Sequence, residues 1–155
     1  MKLYLVQHAQ AVPKEADPQR PLSEQGRRDA EKIAAFIKPL GLCVEYLWHS
    51  PKARAAQTAE LLAKAVTINK SCVSRDGLGP NDDVSPIADE LCRLGRDVMI
   101  VGHLPFLERL TSLLLTGCGS AGDMIAFKQG GIVALDAGEE NKWQIEWMIT
   151  PGLVG

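Results

Sequence analysis

Short apolar runs alternate with longer amphipathic segments along the chain. Runs rich in strand-forming residues predict buried strands, and apolar positions spaced three and four residues apart predict helices. The predicted strands span residues 2–6, 44–48, 97–101, 125–127, 132–135 and 143–149, with a short extended piece at 66–68. The predicted helices span residues 23–38, 51–65, 86–94 and 106–115. We expect segment 71–86 to be irregular, because it is rich in glycine, proline and aspartate.

Four residues mark the ends of the first two helices. Ser23 suits an N-cap position, because its side-chain oxygen can accept the N–H group of Gly26. Pro39 and Gly41 should end this helix, since proline breaks the hydrogen-bond ladder and glycine tolerates a left-handed cap. Pro51 suits the first position of the second helix, where its missing N–H is not needed.

The order of these elements predicts the fold class. In outline it is strand, helix, strand, helix, strand, helix, and then a pair of strands at 125–127 and 132–135. This alternation predicts an α/β fold, a three-layer sandwich whose mostly parallel central sheet is flanked by helices. Right-handed crossovers put those helices on both faces of the sheet. The 155 residues fit one domain spanning 1–155.

Composition and charge exclude several classes of partner. The net charge is -2 with no basic tract, which argues against binding to nucleic acid or to an anionic membrane surface. No apolar run reaches the ~18 residues of a membrane span, and the short apolar N-terminus does not resemble a signal peptide. The four cysteines form no C-x-x-C motif, which is typical of reduced thiols in a cytoplasmic protein. We therefore expect a cytoplasmic protein.

Polar residues directly follow three of the predicted strands. They are Gln7-His8 after the first strand, the segment 49–54 after the second, and Gly102-His103 after the strand at 97–101. In open α/β sheets, ligands bind beyond the carboxyl ends of the strands. If the three strands are parallel neighbours, two histidines and Arg54 therefore meet at one edge of the sheet.

These residue types fit phosphoryl chemistry without a metal. A neutral imidazole can attack phosphorus and form a covalent phosphohistidine, which water then hydrolyses. Arginine forks and a second imidazolium can hold the charge on the phosphoryl oxygens. No carboxylate cluster has metal-ligand spacing, and the Asp82-Asp83 pair is typical of a solvated loop. We therefore expect neither a metal nor another cofactor.

Four segments of the chain resemble the histidine phosphatase superfamily, which has the phosphoglycerate mutase-like fold. They read LYLVQHA at 3–9, RPLSEQG at 20–26, SPKARAAQTA at 50–59 and VGHLPF at 101–106. The S-P-x-x-R-A-x-Q-T-A string together with the later G-H is specific to this superfamily. The R-P-L-S-x-x-G segment is similar to its short bacterial phosphohistidine phosphatases.

The resemblance implies a role for each matching residue. His8 matches the nucleophile that accepts the phosphoryl group, Arg54 matches a phosphate-clamping arginine, and His103 matches the second histidine of the pocket. Arg20 is assigned to a phosphate or substrate contact. Ser50 falls at a motif position that contacts substrate, or it caps the helix that carries Arg54.

The chain departs from the family pattern at two positions beside the nucleophile. Where the family has Arg-His-Gly, this chain has Gln7-His8-Ala9. Glutamine can donate an N–H to phosphate but carries no positive charge, and loss of one preorganised donor costs about 10²–10³-fold in rate. Between Asp76 and Asp83, no glutamate matches the family's general acid. Such an acid matters more for phosphoesters than for phosphohistidine.

These observations predict a phosphohistidine phosphatase that acts on a phosphorylated protein, such as a histidine phosphotransfer domain. The reaction passes through a covalent intermediate on His8. Two alternatives remain: a catalytically weakened relative that binds phosphate or phosphohistidine, favoured by Gln7, and a small-molecule phosphomonoesterase.

Overall fold

The computed structural model of the chain describes residues 1–120 and 124–155. The strands within these residues are β1 (Lys2–Gln7), β2 (Cys43–His49), β3 (Thr67–Ser74), β4 (Val98–Gly102), β5 (Ile132–Ala137) and β6 (Trp143–Ile149). The α-helices are α1 (Glu24–Ile37), α2 (Ala53–Ala63), α3 (Ser85–Leu94) and α4 (Phe106–Thr116).

The six strands form one sheet in the order β3-β2-β4-β1-β5-β6. Strands β3, β2, β4 and β1 are parallel to one another. Strand β5 runs antiparallel to β1 and to β6, so a hairpin completes one side of the sheet. The prediction of a mostly parallel central sheet is confirmed.

Helices cover both faces of this sheet, as predicted. Along β1, Leu3 and Leu5 point to one face and join a core with residues of α3 and α4. Tyr4 and Val6 point to the other face and join a core with residues of α1 and α2. This alternation follows from the two-residue period of a strand, and it produces the three layers.

Strand β3 lies partly where we expected irregular structure. It runs through residues 67–74, whereas the prediction placed a short extended piece at 66–68 and irregular structure from residue 71. Most of its side chains are exposed, because β3 is an edge strand that pairs only with β2. Its polar sequence therefore lacks the apolar run that marks a buried strand, and pairing with β2 decides its structure.

The predicted strand at 125–127 is wrong. Ile125 and Phe127 are buried in the core, but the segment forms no ladder, and the Phe127 N–H donates to the Ile125 carbonyl at 3.1 Å. Strand β5 pairs instead with β1 and β6. A short apolar segment can fill a core without strand pairing, and its pattern does not distinguish the two cases.

The helix-end predictions are confirmed for α1 and wrong for α2. The Ser23 hydroxyl accepts the Gly26 N–H at 3.0 Å, and Gly41 adopts φ 65° after a single 3₁₀ turn that follows Ile37. Helix α2 begins at Ala53 with Lys52 as its N-cap, so Pro51 lies outside the helix.

Among the described residues, no helix is long and apolar enough to cross a membrane.

Candidate active site

The carboxyl ends of β1, β4 and β2 meet at one edge of the sheet. Gln7 lies opposite Gly102 in the β1–β4 pairing, and His49 lies opposite Val101 in the β2–β4 pairing. The backbone hydrogen bonds between β1 and β4 continue one residue past the end of β1, because the His8 N–H donates to the Gly102 carbonyl at 3.0 Å. The predicted convergence of the three polar segments is confirmed.

His8 and His103 are both buried and lie side by side. They are 7% and 1% exposed, and their ring centroids are 5.1 Å apart with the planes tilted by 57°. Such close imidazoles repel each other if both are protonated. The pair is therefore suited to a state in which at least one ring is neutral.

The proton on the His8 ring is fixed by the next peptide. Its Nδ1 lies 2.7 Å from the carbonyl oxygen of Ala9, and a carbonyl can only accept, so Nδ1 carries the hydrogen. Burial lowers the pKa of His8, and the positive charges of Arg54 and Arg20 lower it further, against the opposing effect of the Ala9 hydrogen bond. The ring is neutral near pH 7, and its Nε2 lone pair is free to attack an electrophile.

His103 is neutral as well, which corrects the expectation of an imidazolium. Burial, followed by the nearby His8 and the positive charges of Arg54, Lys52 and Arg20, lowers the pKa of His103 to about 3. Its Nε2 lies 2.8 Å from the Ser50 hydroxyl, whereas its Nδ1 is buried without a hydrogen-bond partner. Near pH 7 this ring can offer a neutral N–H group.

Two arginines supply positive charge to the site. Arg54 lies in the first turn of α2 and is half-buried, and its Nε has no hydrogen-bond partner. Burial lowers the pKa of Arg54, and the positive charge of Arg20 adds to this effect. The helix N-terminus adds a favourable field for an anion at this point.

Arg20 is held by its loop in an unusual backbone conformation. It adopts φ 48°, which is uncommon outside glycine, and its N–H donates to the Asp17 carbonyl at 3.0 Å. Its Nε donates to the Val12 carbonyl at 3.3 Å. Its charge lowers the pKa of both His8 and His103, so the predicted Arg20 lies within electrostatic range of both histidines.

Gln7 is buried at the end of β1, and its Oε1 has no hydrogen-bond partner. Buried side-chain polar atoms without a partner are rare in folded proteins. The described residues contain four such atoms, and three of them belong to Gln7, Arg54 and His103. Unused hydrogen-bonding capacity is therefore concentrated at the end of the sheet where the predicted residues converge.

Ser50 does not cap α2, so that expectation is wrong. The N-cap of α2 is Lys52, with no side-chain capping bond. The Ser50 hydroxyl instead accepts the Lys52 N–H at 3.3 Å and contacts His103. Ser50 is fully buried, and the side chain that its hydroxyl contacts is that of the second histidine.

Thr58 is a contributor that the sequence analysis did not assign. Its hydroxyl accepts the Ala9 N–H at 3.0 Å and donates to the Arg54 carbonyl at 2.8 Å. It thereby joins the peptide after His8 to the helix that carries Arg54. The signal was present, since Thr58 follows Arg54 by four residues in the motif string and four residues are one helical turn.

The replacement of glycine by Ala9 does not require an unusual backbone. The non-glycine residues with positive φ are Arg20, Glu140 and Asn141 among those described, and Ala9 is not one of them. Its methyl group is fully buried. The loop after the nucleophile therefore accommodates alanine without left-handed strain.

The aspartates at 82 and 83 shape a turn. Asp82 accepts the Gly79 N–H at 2.7 Å, and Asp83 accepts the Ser85 N–H at 3.0 Å. The hydrogen bonds with Ser85 lower the pKa of Asp83, so Asp83 is ionised near pH 7 and unsuited to donate a proton. No group of three or more histidine, cysteine or acidic side chains with metal-binding geometry exists within the described residues.

Known proteins match both the sequence and the fold. The family model for the histidine phosphatase superfamily (branch 1) matches residues 3–78. An uncharacterized protein of Picosynechococcus is 30% identical over 145 residues, which cover 89% of this chain and 86% of that protein. The phosphohistidine phosphatase SixA of Escherichia coli is 25% identical over 156 residues, which cover 97% and 94% of the two chains.

The likeness extends to a solved structure. The protein histidine phosphatase SixA complexed with tungstate matches with a TM-score of 0.86 at 23% identity, over 99% of both chains. The phosphoglycerate mutase-like architecture predicted from the sequence is thereby confirmed. The chain belongs to the histidine phosphatase superfamily, within which it resembles the short bacterial phosphohistidine phosphatases.

Proposed function

We propose that this phosphatase removes the phosphoryl group from phosphohistidine on a protein, through a covalent intermediate on His8. A cytoplasmic histidine phosphotransfer domain is the kind of partner that fits. Similarity to the phosphohistidine phosphatase SixA supports this substrate class. The proposal treats residues 1–155 as one catalytic domain that needs no metal.

The main support for this function is that His8 has a free imidazole nitrogen in a site whose hydrogen-bond donors lack partners. The His8 Nε2 lone pair is free because Nδ1 donates to Ala9. Within residues 1–120 and 124–155, no group bonds to Arg54 Nε or to His103 Nδ1. Transfer of a phosphoryl group needs a lone pair that points at phosphorus on one side. It also needs hydrogen-bond donors to the phosphoryl oxygens on the other sides.

The reaction has two steps in this proposal. The lone pair of His8 Nε2 forms a bond to phosphorus while the P–N bond to the substrate imidazole breaks, and the leaving nitrogen takes a proton from solvent. Water then attacks phosphorus and releases inorganic phosphate, which returns His8 to its neutral form. Arg54, Arg20 and the N–H of His103 hold the phosphoryl oxygens throughout.

The carboxylates between residues 76 and 83 favour phosphohistidine over phosphoesters. An alkoxide leaving group needs a proton donor, but Asp82 and Asp83 accept backbone hydrogen bonds in a turn. An imidazole is a good leaving group once protonated. The proposal therefore does not require an acid in this segment.

The decisive experiment is phosphate release from a phosphorylated histidine phosphotransfer domain. Wild-type protein should release phosphate in the presence of EDTA, and rapid acid-free quenching should trap labelled phosphate on His8. His8→Ala should abolish both signals. Arg28→Ala, which removes an exposed arginine of α1, is the control and should leave the rate unchanged. No release from phosphohistidine or aryl phosphate substrates would overturn the proposal.

A second candidate function is binding without efficient turnover. Gln7 supports it, because its side chain lacks the positive charge that the family places beside the nucleophile. The two functions separate in one measurement with tungstate or a phosphorylated partner as the probe. Tight binding with negligible turnover favours a binding module, whereas brisk turnover excludes it. A preference for simple phosphate esters in a substrate panel would favour a small-molecule phosphomonoesterase.

A further inference from the structure

Ser50 is a fully buried serine whose hydroxyl has two neighbours. The Lys52 N–H donates to its oxygen at 3.3 Å, and His103 Nε2 lies 2.8 Å away. Ser50 itself continues the ladder beyond β2, since its N–H donates to the Val101 carbonyl at 3.1 Å. The backbone of Ser50 is thus anchored to β4, and its hydroxyl oxygen is held by the Lys52 N–H.

The direction of the contact between Ser50 and His103 follows from hydrogen-bond counting. A serine hydroxyl has one hydrogen to donate. In the described part of the chain, the acceptor within reach of it is His103 Nε2, because its other neighbour is a donor. If Nε2 carried the hydrogen instead, the Ser50 O–H would be buried without an acceptor among the described residues, which is unfavourable.

We infer that Ser50 is a positioning residue that keeps His103 in its Nδ1–H form, so that this N–H can donate to a phosphoryl oxygen. The surroundings of His103 favour a neutral ring, first because the ring is buried and then because His8 and nearby positive charges oppose protonation. A neutral ring whose Nε2 accepts from Ser50 must carry its hydrogen on Nδ1. That nitrogen is the buried atom without a partner.

The two histidines then share a tautomer but perform opposite tasks. The Nδ1–H of His8 is used by the Ala9 carbonyl, which leaves its Nε2 as a lone pair. The Nε2 of His103 is used by Ser50, which leaves its Nδ1 as a donor. One ring is thereby prepared to attack and the other to stabilise charge. This consequence for catalysis rests on the proposed function, whereas the tautomer itself does not.

The tautomer can be measured without any activity. Long-range ¹H–¹⁵N correlation spectra of the full chain at pH 7 should show a neutral His103 with its hydrogen on Nδ1. In Ser50→Ala, the Nε2–H form should become populated. A wild-type His103 that carries its hydrogen on Nε2, or a Ser50→Ala spectrum identical to wild type, would overturn the inference. Phosphatase activity could fail entirely without affecting this result.

A double-mutant cycle tests the link to anion binding, with tungstate as the probe. Ser50→Ala should weaken tungstate binding about tenfold or more, because the donor is no longer fixed. His103→Asn offers an amide N–H near the position of Nδ1 and has no second ring nitrogen. In that background, Ser50→Ala should change the affinity less than twofold. An equal loss in both backgrounds would show that Ser50 acts on the fold alone and would overturn the inference.

A control removes a comparable hydroxyl elsewhere. Ser112 is also buried, and its hydroxyl donates to the Cys118 carbonyl near the end of α4. Ser112→Ala should leave tungstate affinity and the His103 tautomer unchanged.

Where activity is measurable, Ser50→Ala should lower kcat by up to about 10²-fold, with a smaller effect on KM. A change in KM alone would contradict a role in holding the transition state.

Discussion

At the scale of single residues, the hydrogen-bond partners of a side chain decide its chemical role more than its residue type does. His8 and His103 have the same side chain, yet the Ala9 carbonyl leaves one with a free lone pair and Ser50 leaves the other with a free N–H. Gln7 shows the reverse situation, because its side-chain carbonyl oxygen is buried and has no partner in the described part of the chain. Unpartnered buried groups are costly, so such a position has a large effect on both stability and function.

Replacement of Gln7 by arginine should increase turnover. The new guanidinium places a positive charge beside the His8 nucleophile, where the negative charge of the phosphoryl group develops. We expect kcat on a phosphohistidine substrate to rise about 10- to 100-fold, by the magnitude of one preorganised donor. Steady-state kinetics with inorganic phosphate release check this result.

The control for this change is Gln144→Arg. It adds the same charge on β6, at a position that pairs with Asp136 near the opposite end of the sheet, and its side chain is exposed. It should leave kcat unchanged. A Gln7→Arg variant no faster than wild type would mean that Arg54 and Arg20 already supply the charge that the site needs.

At the scale of elements, α2 and the turn that leads into it organise the site. Ser50 fixes His103, Arg54 supplies a guanidinium group, and Thr58 connects the helix to the peptide after His8. Gln57 adds a further contact, because its Oε1 accepts the Leu22 N–H at 2.7 Å. A single segment of ten residues therefore bonds to each of the other segments that form the site.

Thr58→Val should destabilise the protein and slow catalysis. Valine has nearly the same shape but cannot accept the Ala9 N–H, so a buried donor loses its partner. We expect a loss of about 1–3 kcal/mol in the free energy of unfolding, together with a lower kcat because the Ala9 peptide orients His8. Urea unfolding and steady-state kinetics measure the two effects.

Thr111→Val is the matched control. Thr111 is also buried in a helix, and its hydroxyl also donates to the carbonyl four residues earlier, that of Leu107. In the described residues its oxygen accepts no N–H, so this change should cost less than Thr58→Val and leave kcat intact. Equal effects of the two substitutions would contradict the role given to Thr58.

Gly26→Ala should be strongly destabilising. A Cβ atom at this position of α1 would overlap the backbone carbonyl of Gln10, which also accepts the Ser23 N–H at 3.0 Å. Because the backbone cannot move aside without further strain, we expect the free energy of unfolding to fall by about 1–3 kcal/mol or more. Gly152→Ala is the control, since a Cβ there meets nothing within 4 Å. Thermal unfolding of both variants decides the matter.

At the scale of the whole molecule, a positive pocket is built into a protein of net charge -2. Burial, together with the positive charges of Arg54 and Arg20, keeps both site histidines neutral. This arrangement favours an anionic ligand locally and also makes the stability of the fold depend on pH.

The protein should lose stability as pH falls below about 6.5. The pKa of His103 is about 3 in the folded chain but ordinary in the unfolded chain, so the unfolded chain binds more protons in between. Stability therefore falls with pH through this window, by up to about 1.4 kcal/mol per pH unit for one histidine. The lowered pKa of His8 acts in the same direction.

Urea unfolding of wild type and His103→Asn at pH 7 and pH 5 isolates this contribution. The carboxylates contribute equally to both proteins, so the wild type should lose up to about 2 kcal/mol more than the variant between these two values. The same loss in both proteins would mean that His103 is not held neutral by the fold.

The sequence by itself determined much of this protein. The apolar runs predicted three parallel strands, and the strand-end positions of His8, Arg54 and His103 predicted where they would meet. Both inferences depend on local periodicity and on the rule that parallel strands end at one edge of a sheet. The motif strings added the family, because their residues and spacings are specific.

Tertiary structure alone decided the remainder. Strand β3 exists through its pairing with β2, and segment 125–127 is buried without pairing, because neither outcome is encoded in a local pattern. The neutral state of His103 and the real partner of Ser50 follow from burial and from contacts across 53 positions of sequence. Proton positions and pKa values depend on which groups surround a side chain in space, and the fold brings those groups together.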